Sequence, residues 1–471
     1  MSGPENPQWE RWDAAARRPE DVPTVDRPAS QTAEARFALA AATAGLLAAV
    51  ALPGNRLGIG VLVVAVALAV AARFARAEAP GRRVERWVWG GAALLLVSAA
   101  VLRDAAWVVV PALLGALALG SLAVAGGRTW AGVGRGLVAA VVRSPRGPGL
   151  VVRGAISAVP AGSAPPLRPI ARGAGLAAIL LTVFGVLFVT GDAAFAQLAV
   201  DTLPTTRDAD VLVLRAVVLV AAVALAGGLA LARLAGPRDH AGPPRRRLAS
   251  SEWLVALVAL DLLVAAFVGV QLAVLFGDER HVLTTAGLTY AEYARAGFVQ
   301  LLVAAALTLA VAGAALRWSP PGRRTAIRAA LGVLCALTLV VLASALHRLD
   351  LYQDAYGATR LRLAAHAGIL LTGALLALVL GALAIARFAW LPRAVTATVA
   401  LALAGFVAVN PDLRIAERNL ARAEVDEAYL RELSADAAPA LPRRLVDRPE
   451  PDGLFGWNLA RRHARAVPSS D

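Results

Sequence analysis

"LLVAAALTLAVAGAAL", Leu301–Leu316, carries no charge and one hydroxyl, and with its lead-in the apolar run covers 297–316. A helix of about 20 such residues crosses the hydrocarbon core of a bilayer. The same kind of run recurs near 36–52, 57–73, 87–102, 105–125, 173–190, 211–234, 252–276, 326–346, 363–386 and 390–409. Eleven runs of this length predict an all-α fold, a polytopic integral membrane helix bundle of about 11 transmembrane helices. The first three are short and rich in alanine.

Composition points the same way. Of 471 residues 58% are hydrophobic, and the mean hydropathy is +0.63. Such a chain is too apolar for an ordinary soluble protein. The formal charge of +14 comes from arginines lying between the apolar runs, which fits membrane topology and no nucleic-acid partner. The chain contains no lysine, as in GC-rich bacterial coding. Its single cysteine, Cys335, lies within an apolar run, so an internal disulfide is excluded and no cysteine-based metal site is expected.

The arginines alternate. Even-numbered connections hold Arg73, Arg76, Arg82, Arg83 and Arg86; Arg128 through Arg172; Arg233 through Arg247; Arg317 through Arg328; and Arg387 with Arg393. Odd-numbered connections hold most of the acids: Asp104; Asp192, Asp201, Asp208 and Asp210; Asp278, Glu279 and Glu292; Asp350 and Asp354. Arginine excess marks the cytoplasmic side, so the N-terminus is expected inside and the C-terminus outside a bacterial cytoplasmic membrane.

Five regions follow. Residues 1–35 read as a disordered cytoplasmic tail without the pattern of a cleavable signal. Residues 36–127 carry the N-terminal transmembrane helices. Residues 128–172 form a basic cytoplasmic loop in which "TWAGVGRGLVAAVV" is an amphipathic surface helix followed by a Pro/Gly/Ser-rich linker. Its arginines either fix topology or also bind anionic lipid. "GVGRG" follows no strand and is no dinucleotide fingerprint. Residues 173–409 are the C-terminal transmembrane region, and 410–471 form a small extracytoplasmic helical segment. In that segment Asn410 can cap a helix with Pro411 at its first position, and Ser434 a later one. Leu413, Ala416 and Leu420 share a face, as do Tyr429, Leu430 and Leu433.

From about Ala174 the chain resembles a bacterial multi-pass membrane family, domain of unknown function 4173, related to that numbered 4153. The resemblance is carried by "GDAAFA" (191–196), "ALDLLVAAFVGVQLAVLFG" (259–277), "GLTYAEYARAGFVQL" (287–301), "RLDLYQDAYGATRLRLAAH" (348–366), "NPDLRIAERNL" (410–420), "DEAYLRELSADAAPAL" (426–441) and "WNLARRHARA" (457–466). The N-terminal spans share only hydrophobicity with the family, and Ala358 stands where a larger apolar residue is expected. The resemblance implies an integral membrane protein and no reaction.

Several polar residues are candidates for function. Asp261 lies near the middle of the seventh span, where an ionised carboxylate is costly; it is either a proton or ion site or a hydrogen-bonded link between helices. Gln271 lies about three turns further along, and Arg215 is a poor partner for Asp261 because it sits nearer the outer surface. His347, Asp350 and Asp354 fall at i, i+3 and i+7 beside Tyr352, Tyr356, Arg360 and Arg362, an arrangement that reads either as a metal-facing surface or as an interfacial belt. Gly357 and Thr359 mark a helix stop and restart.

Thr289 and Glu292 have capping-box spacing, with Leu288 and Tyr293 as its hydrophobic staple. Gln300 shares a face with Tyr293 and is left unexplained by capping. Asp192, Tyr290, Glu292, Tyr293, Asp354, Arg360, Asn410 and the segment carrying Asn419 all belong to the expected outer side, where they suggest a polar vestibule. No catalytic motif, cofactor site or metal site stands out. Three functions remain in order: a non-enzymatic scaffold or sensor with an extracytoplasmic protein partner, a transporter or channel lined by Asp261 and Gln271, and an outer-leaflet lipid-handling enzyme using Glu292, Asp350 or Asp354.

Overall fold

The computed structural model describes residues 27–75, 83–157, 209–237, 239, 250–276, 298–318 and 324–468. Among these every regular element is helical: α1 Arg27–Ala51, α2 Ile59–Phe74, α3 Arg83–Val97, α4 Ala99–Leu102, α5 Ala106–Ala125, α6 Trp130–Arg143, α7 Gly147–Ser157, α8 Ala209–Ala235, α9 Ser250–Phe276, α10 Phe298–Trp318, α11 Arg324–Tyr356, α12 Arg360–Ile385, α13 Leu391–Val409, α14 Pro411–Leu420, α15 Glu427–Arg431 and α16 Leu459–Ala466. Nine stretches of described helix are long and apolar enough to cross a membrane, and α2 is a shorter apolar helix of 16 residues. These match ten of the eleven expected runs. The other, 173–190, lies outside the described residues.

The helices pack in two groups. In one, Leu257 of α9, Ala305 and Ala312 of α10, Leu331 and Leu334 of α11, and Ile369 and Leu376 of α12 share a core. In the other, Ala93, Leu96, Val108, Ala112 and Ala116 of α3 and α5 pack together. α13 joins them, giving Leu391 to the first core and Ala400 and Val407 to the second. Around α1, α2 and α8 the contact residues are mostly alanine: Ala41, Ala71, Ala226 and Ala230. Lipid tails are as apolar as leucine, so helices associate in a membrane through close contact, which small residues permit.

The basic stretch after α5 departs from the expected surface helix and linker. α6 forms where the amphipathic pattern predicts it, but it packs on α5: the buried Ser121 Oγ donates to Gly136 O at 2.6 Å and accepts from Ala140 N at 2.9 Å. The first part of the expected linker is a 3-10 turn over Ser144–Arg146 followed by helix α7, and its remainder, 158–172, lies outside the described residues. Proline is tolerated at a helix start, where the missing N–H has no acceptor to reach. Gly147 and Gly154 within α7 are points of close helix contact. A Cβ placed on Gly227 of α8 would lie 2.2 Å from Gly147 Cα.

Contacts also sort the connections into two ends. At one, Glu85 in the first turn of α3 binds both Arg128 after α5 (3.1 Å) and Arg393 at the start of α13 (2.8 Å), and Asp239 after α8 accepts from Arg128 N. At the other, the turns at 52–58, 103–105 and 357–359 all meet residues 410–468. Among the described residues, the even connections that these contacts place share one end and the odd connections the other.

Candidate functional site: a polar clasp at one end of the bundle

A helix ends with carbonyls that have no partner inside it. At the odd-connection end those carbonyls are met by side chains of the polar segment after α13. Asn410 begins it in the left-handed region (φ 54°), which asparagine tolerates, and caps α14 by accepting from Leu413 N at 3.4 Å. Its amide also donates to Asp436 O at 3.1 Å.

The inward face of α14 keeps Ala416 and Leu420 of the Leu413–Ala416–Leu420 stripe but is centred elsewhere. Asp412, Ile415, Ala416 and Asn419 are the buried residues, and Leu413 is half-buried. Two polar residues turn inward because each has partners there. Asp412, fully buried, accepts from Trp107 Nε1 (2.9 Å), Arg360 Nε (3.3 Å), Arg360 Nη2 (3.0 Å) and Ser434 N (3.0 Å). Burial pushes its carboxyl up, but the hydrogen bonds from Arg360 and Ser434 prevail and hold it below the usual carboxylate range. Asn419 reads the backbone of Ala358 on both sides, accepting from its N at 2.7 Å and donating to its O at 2.9 Å. Thr359 caps α12 just beyond, and Gly357 turns the chain with φ 78°. Ala358 is itself buried beside Ile415 and Leu430. Arg422 donates to the carbonyls of Asp354 and Ala355, and Arg362 to those of Tyr356 and Gly357 while lying 4.2 Å over the Tyr352 ring.

Asp436 holds the turn before α5. Its Oδ2 accepts from Asp104 N (2.7 Å), Ala105 N (2.8 Å) and Ser434 Oγ (3.1 Å), and its Oδ1 lies 3.8 Å from Arg103. Here burial outweighs the donors and raises the carboxyl above its ordinary value. Arg103 in turn donates to Val407 O and Ala408 O, closing the end of α13.

The last node is Arg461 on α16, 2% exposed. It binds Asp452 Oδ1 (2.8 Å) and Leu57 O (2.9 Å), together with Asp104 and Gly456 O. Arg465 reaches the other Asp452 oxygen at 3.0 Å. Asn458 caps α16 and donates to Ala100 O and Arg103 O. Ile59 N and Gly60 N of α2 donate to Trp457 O and Phe455 O.

Of the expected candidates, Arg360, Asn410 and Asn419 enter this clasp through their side chains, while Asp354 and Tyr356 enter it through backbone carbonyls. The side chains of Arg360, Asn410 and Asn419 are thus packed into a network with the C-terminal segment. Asp261 and Gln271 lie elsewhere, on the α9 face with Leu257, Val264 and Val268, at 4–3–4–3 spacing. Gln271 Oε1 accepts from Ser344 Oγ (2.9 Å) and from Arg348, both on α11. Asp261 is half-buried, and its Oδ1 is enclosed with no hydrogen bond among the described residues. Arg215 is exposed on α8, which packs with α1 and α2. Gln300 is exposed at the start of α10. Asp192, Tyr290, Glu292 and Tyr293, with the capping box, lie outside the described residues. His347, Asp350 and Asp354 do continue one helix, but Asp350 pairs with His366 Nδ1 of α12 at 3.5 Å, and no metal-sized group of three such residues occurs among the described residues.

Sequence reasoning missed Trp107, Asp412, Asp436, Asn458 and Arg461. For Asp412 and Arg461 the available signal was a charged residue placed among the apolar positions of a short amphipathic helix. A family model described as Domain of unknown function (DUF4153) matches residues 89–443. That match begins well before Ala174 and stops short of "WNLARRHARA". No curated protein and no solved structure matches the chain.

Proposed function

Since the chain belongs to the family described as Domain of unknown function (DUF4153), a description that names no activity, we propose from the geometry that this multi-pass membrane protein is a non-enzymatic scaffold or sensor. The observation that carries this reading is the clasp. Asp412 spends both oxygens on four donors of the same chain, and Arg461 spends its guanidinium on two carboxylates and two carbonyls. Groups engaged in this way fix a rigid extramembrane surface on which a protein partner can dock. By the arginine rule this end is extracytoplasmic and the N-terminus is inside a bacterial cytoplasmic membrane. The motifs at 348–366 and 410–420 favour kinship with the 4173 branch.

Transport is the second reading, favoured by the enclosed Asp261 Oδ1, which has no hydrogen bond among the described residues. Two measurements test the proposal. A phosphatase reporter fused after Asp471 is expected to be active outside the cytoplasm, and activity only in the cytoplasm reverses the orientation. Proteoliposomes of the full chain are expected to show the same proton leak for wild type and Asp261→Asn. A wild-type flux that this substitution abolishes replaces the scaffold reading with transport.

A further inference from the structure

At the arginine-rich end, α5, α6 and the residues after α8 enclose a cleft of about 370 Å³. Three guanidinium side chains line it, Arg135, Arg143 and Arg146, and part of its wall is bare backbone from Gly126, Gly136 and Gly236. The carboxylate nearest the start of α6, Asp239, is occupied with Arg128 N and Thr129 N. Glu85 is occupied with Arg128 and Arg393. Arg135 and Arg143 also donate to the carbonyls of Ala131 and Ala139 in their own helix, and among the described residues that line the cleft the charged side chains are all arginines.

Its rim is apolar. Val138 and Val142, which also line it, are 51% and 63% exposed, and Trp130 is 56% exposed on the same helix. Exposed valines one turn apart beside arginines, on the outward face of a helix whose other face packs into the bundle, match one class of ligand: an anionic head carrying apolar chains. We propose that this cleft binds the phosphate headgroup of an anionic phospholipid, with the acyl chains running over Val138 and Val142. Arg135, Arg143 and Arg146 take the charge, and the glycine backbone lets the headgroup approach closely. The site does not depend on which end of the bundle faces the cytoplasm.

The test uses the detergent-solubilised full chain, titrated with dioctanoyl phosphatidylglycerol, dioctanoyl phosphatidylcholine and inorganic phosphate while thermal unfolding is followed. Phosphatidylglycerol is expected to stabilise at a concentration at least about tenfold lower than phosphatidylcholine. A basic residue at a lipid surface contributes roughly a fivefold gain in binding, so Arg146→Gln should weaken it by about that factor and the triple Arg135→Gln/Arg143→Gln/Arg146→Gln by about a hundredfold. Arg146 is exposed, so its single variant decides the matter if the triple does not fold. Arg431→Gln, at the clasp end, should bind as wild type. Equal response to the two lipids, or an unchanged response in Arg146→Gln, overturns the site. Inorganic phosphate acting as well as phosphatidylglycerol overturns the lipid and leaves a free phosphate as the ligand.

Discussion

Arg461→Ala tests the clasp most directly. The guanidinium is 2% exposed and Asp452, its partner at 2.8 Å, is equally buried, whereas Asp104 is partly open to solvent. Removing one member of a buried ion pair costs about 3–5 kcal/mol, because the remaining charge stays buried and unpaired. Arg465 still reaches Asp452, which puts the expected loss near the lower figure, about 3 kcal/mol. That loss falls on the docking of the C-terminal segment, not on the membrane core. It translates to a clasp that opens on the order of a hundredfold more often. Hydrogen exchange reads this opening where the segment shields α2, at Ile59 N and Gly60 N, which donate to Trp457 O and Phe455 O. The peptide covering 57–62 should exchange about a hundredfold faster in the variant, while a peptide from the middle of α11 should not change. Unchanged exchange at 57–62 would refute the clasp as a locally stable unit. An equal rise in α11 would show that Arg461 supports the whole bundle instead.

Three further outcomes follow from the same contacts. Asp412, held below its ordinary value, adds stability above an unfolded pKa of about 3.9 and loses it as pH falls through its lower folded value; Asp436, held above, loses stability as pH rises from about 3.9 through its higher folded value. Thermal unfolding from about pH 3 to 7 should therefore show a shallower acid limb for Asp412→Asn, while Asp436→Asn should lose the opposite slope above about pH 4. Gly357→Ala puts a side chain at φ 78° with its Cβ 2.8 Å from Asn419 Oδ1, and should lower stability by about 1–3 kcal/mol; adding Asn419→Ala should relieve the clash without restoring the wild-type melting temperature. Gly227→Leu should drive α7 off α8, so that protease cuts within 147–157 at least about tenfold faster while the clasp peptides stay protected.

What the sequence disclosed and what it withheld have separate physical causes. Bilayer thickness sets the length of an apolar run, so α8 through α13 are readable one at a time. Caps are local too, and Asn410 and Thr359 act where their neighbours predict. A membrane helix apolar all round gives no hint of which face meets protein, so nothing marked α13 as the link between the two cores. The clasp was hidden for another reason. Asp412 and Trp107 are 305 positions apart, and an aspartate is assigned outward until its partners are known. The same bias placed the α14 stripe on Leu413 in place of Asp412 and Ile415. Around α7, glycine and proline read as linker because their use in close helix packing depends on α1 and α8, distant in sequence.

The bond from Arg461 to Leu57 O spans 404 positions. A ribosome adding about 5–20 residues each second needs roughly 20–80 s to travel that distance. For that interval the turn after α1 stands in the bilayer surface with its carbonyl and the first amides of α2 uncovered. The α1–α2 hairpin thus enters the membrane long before the residues that finish it are made. Any membrane protease or insertase that surveys newborn chains has that window in which to grip it, and closure of the clasp ends the opportunity.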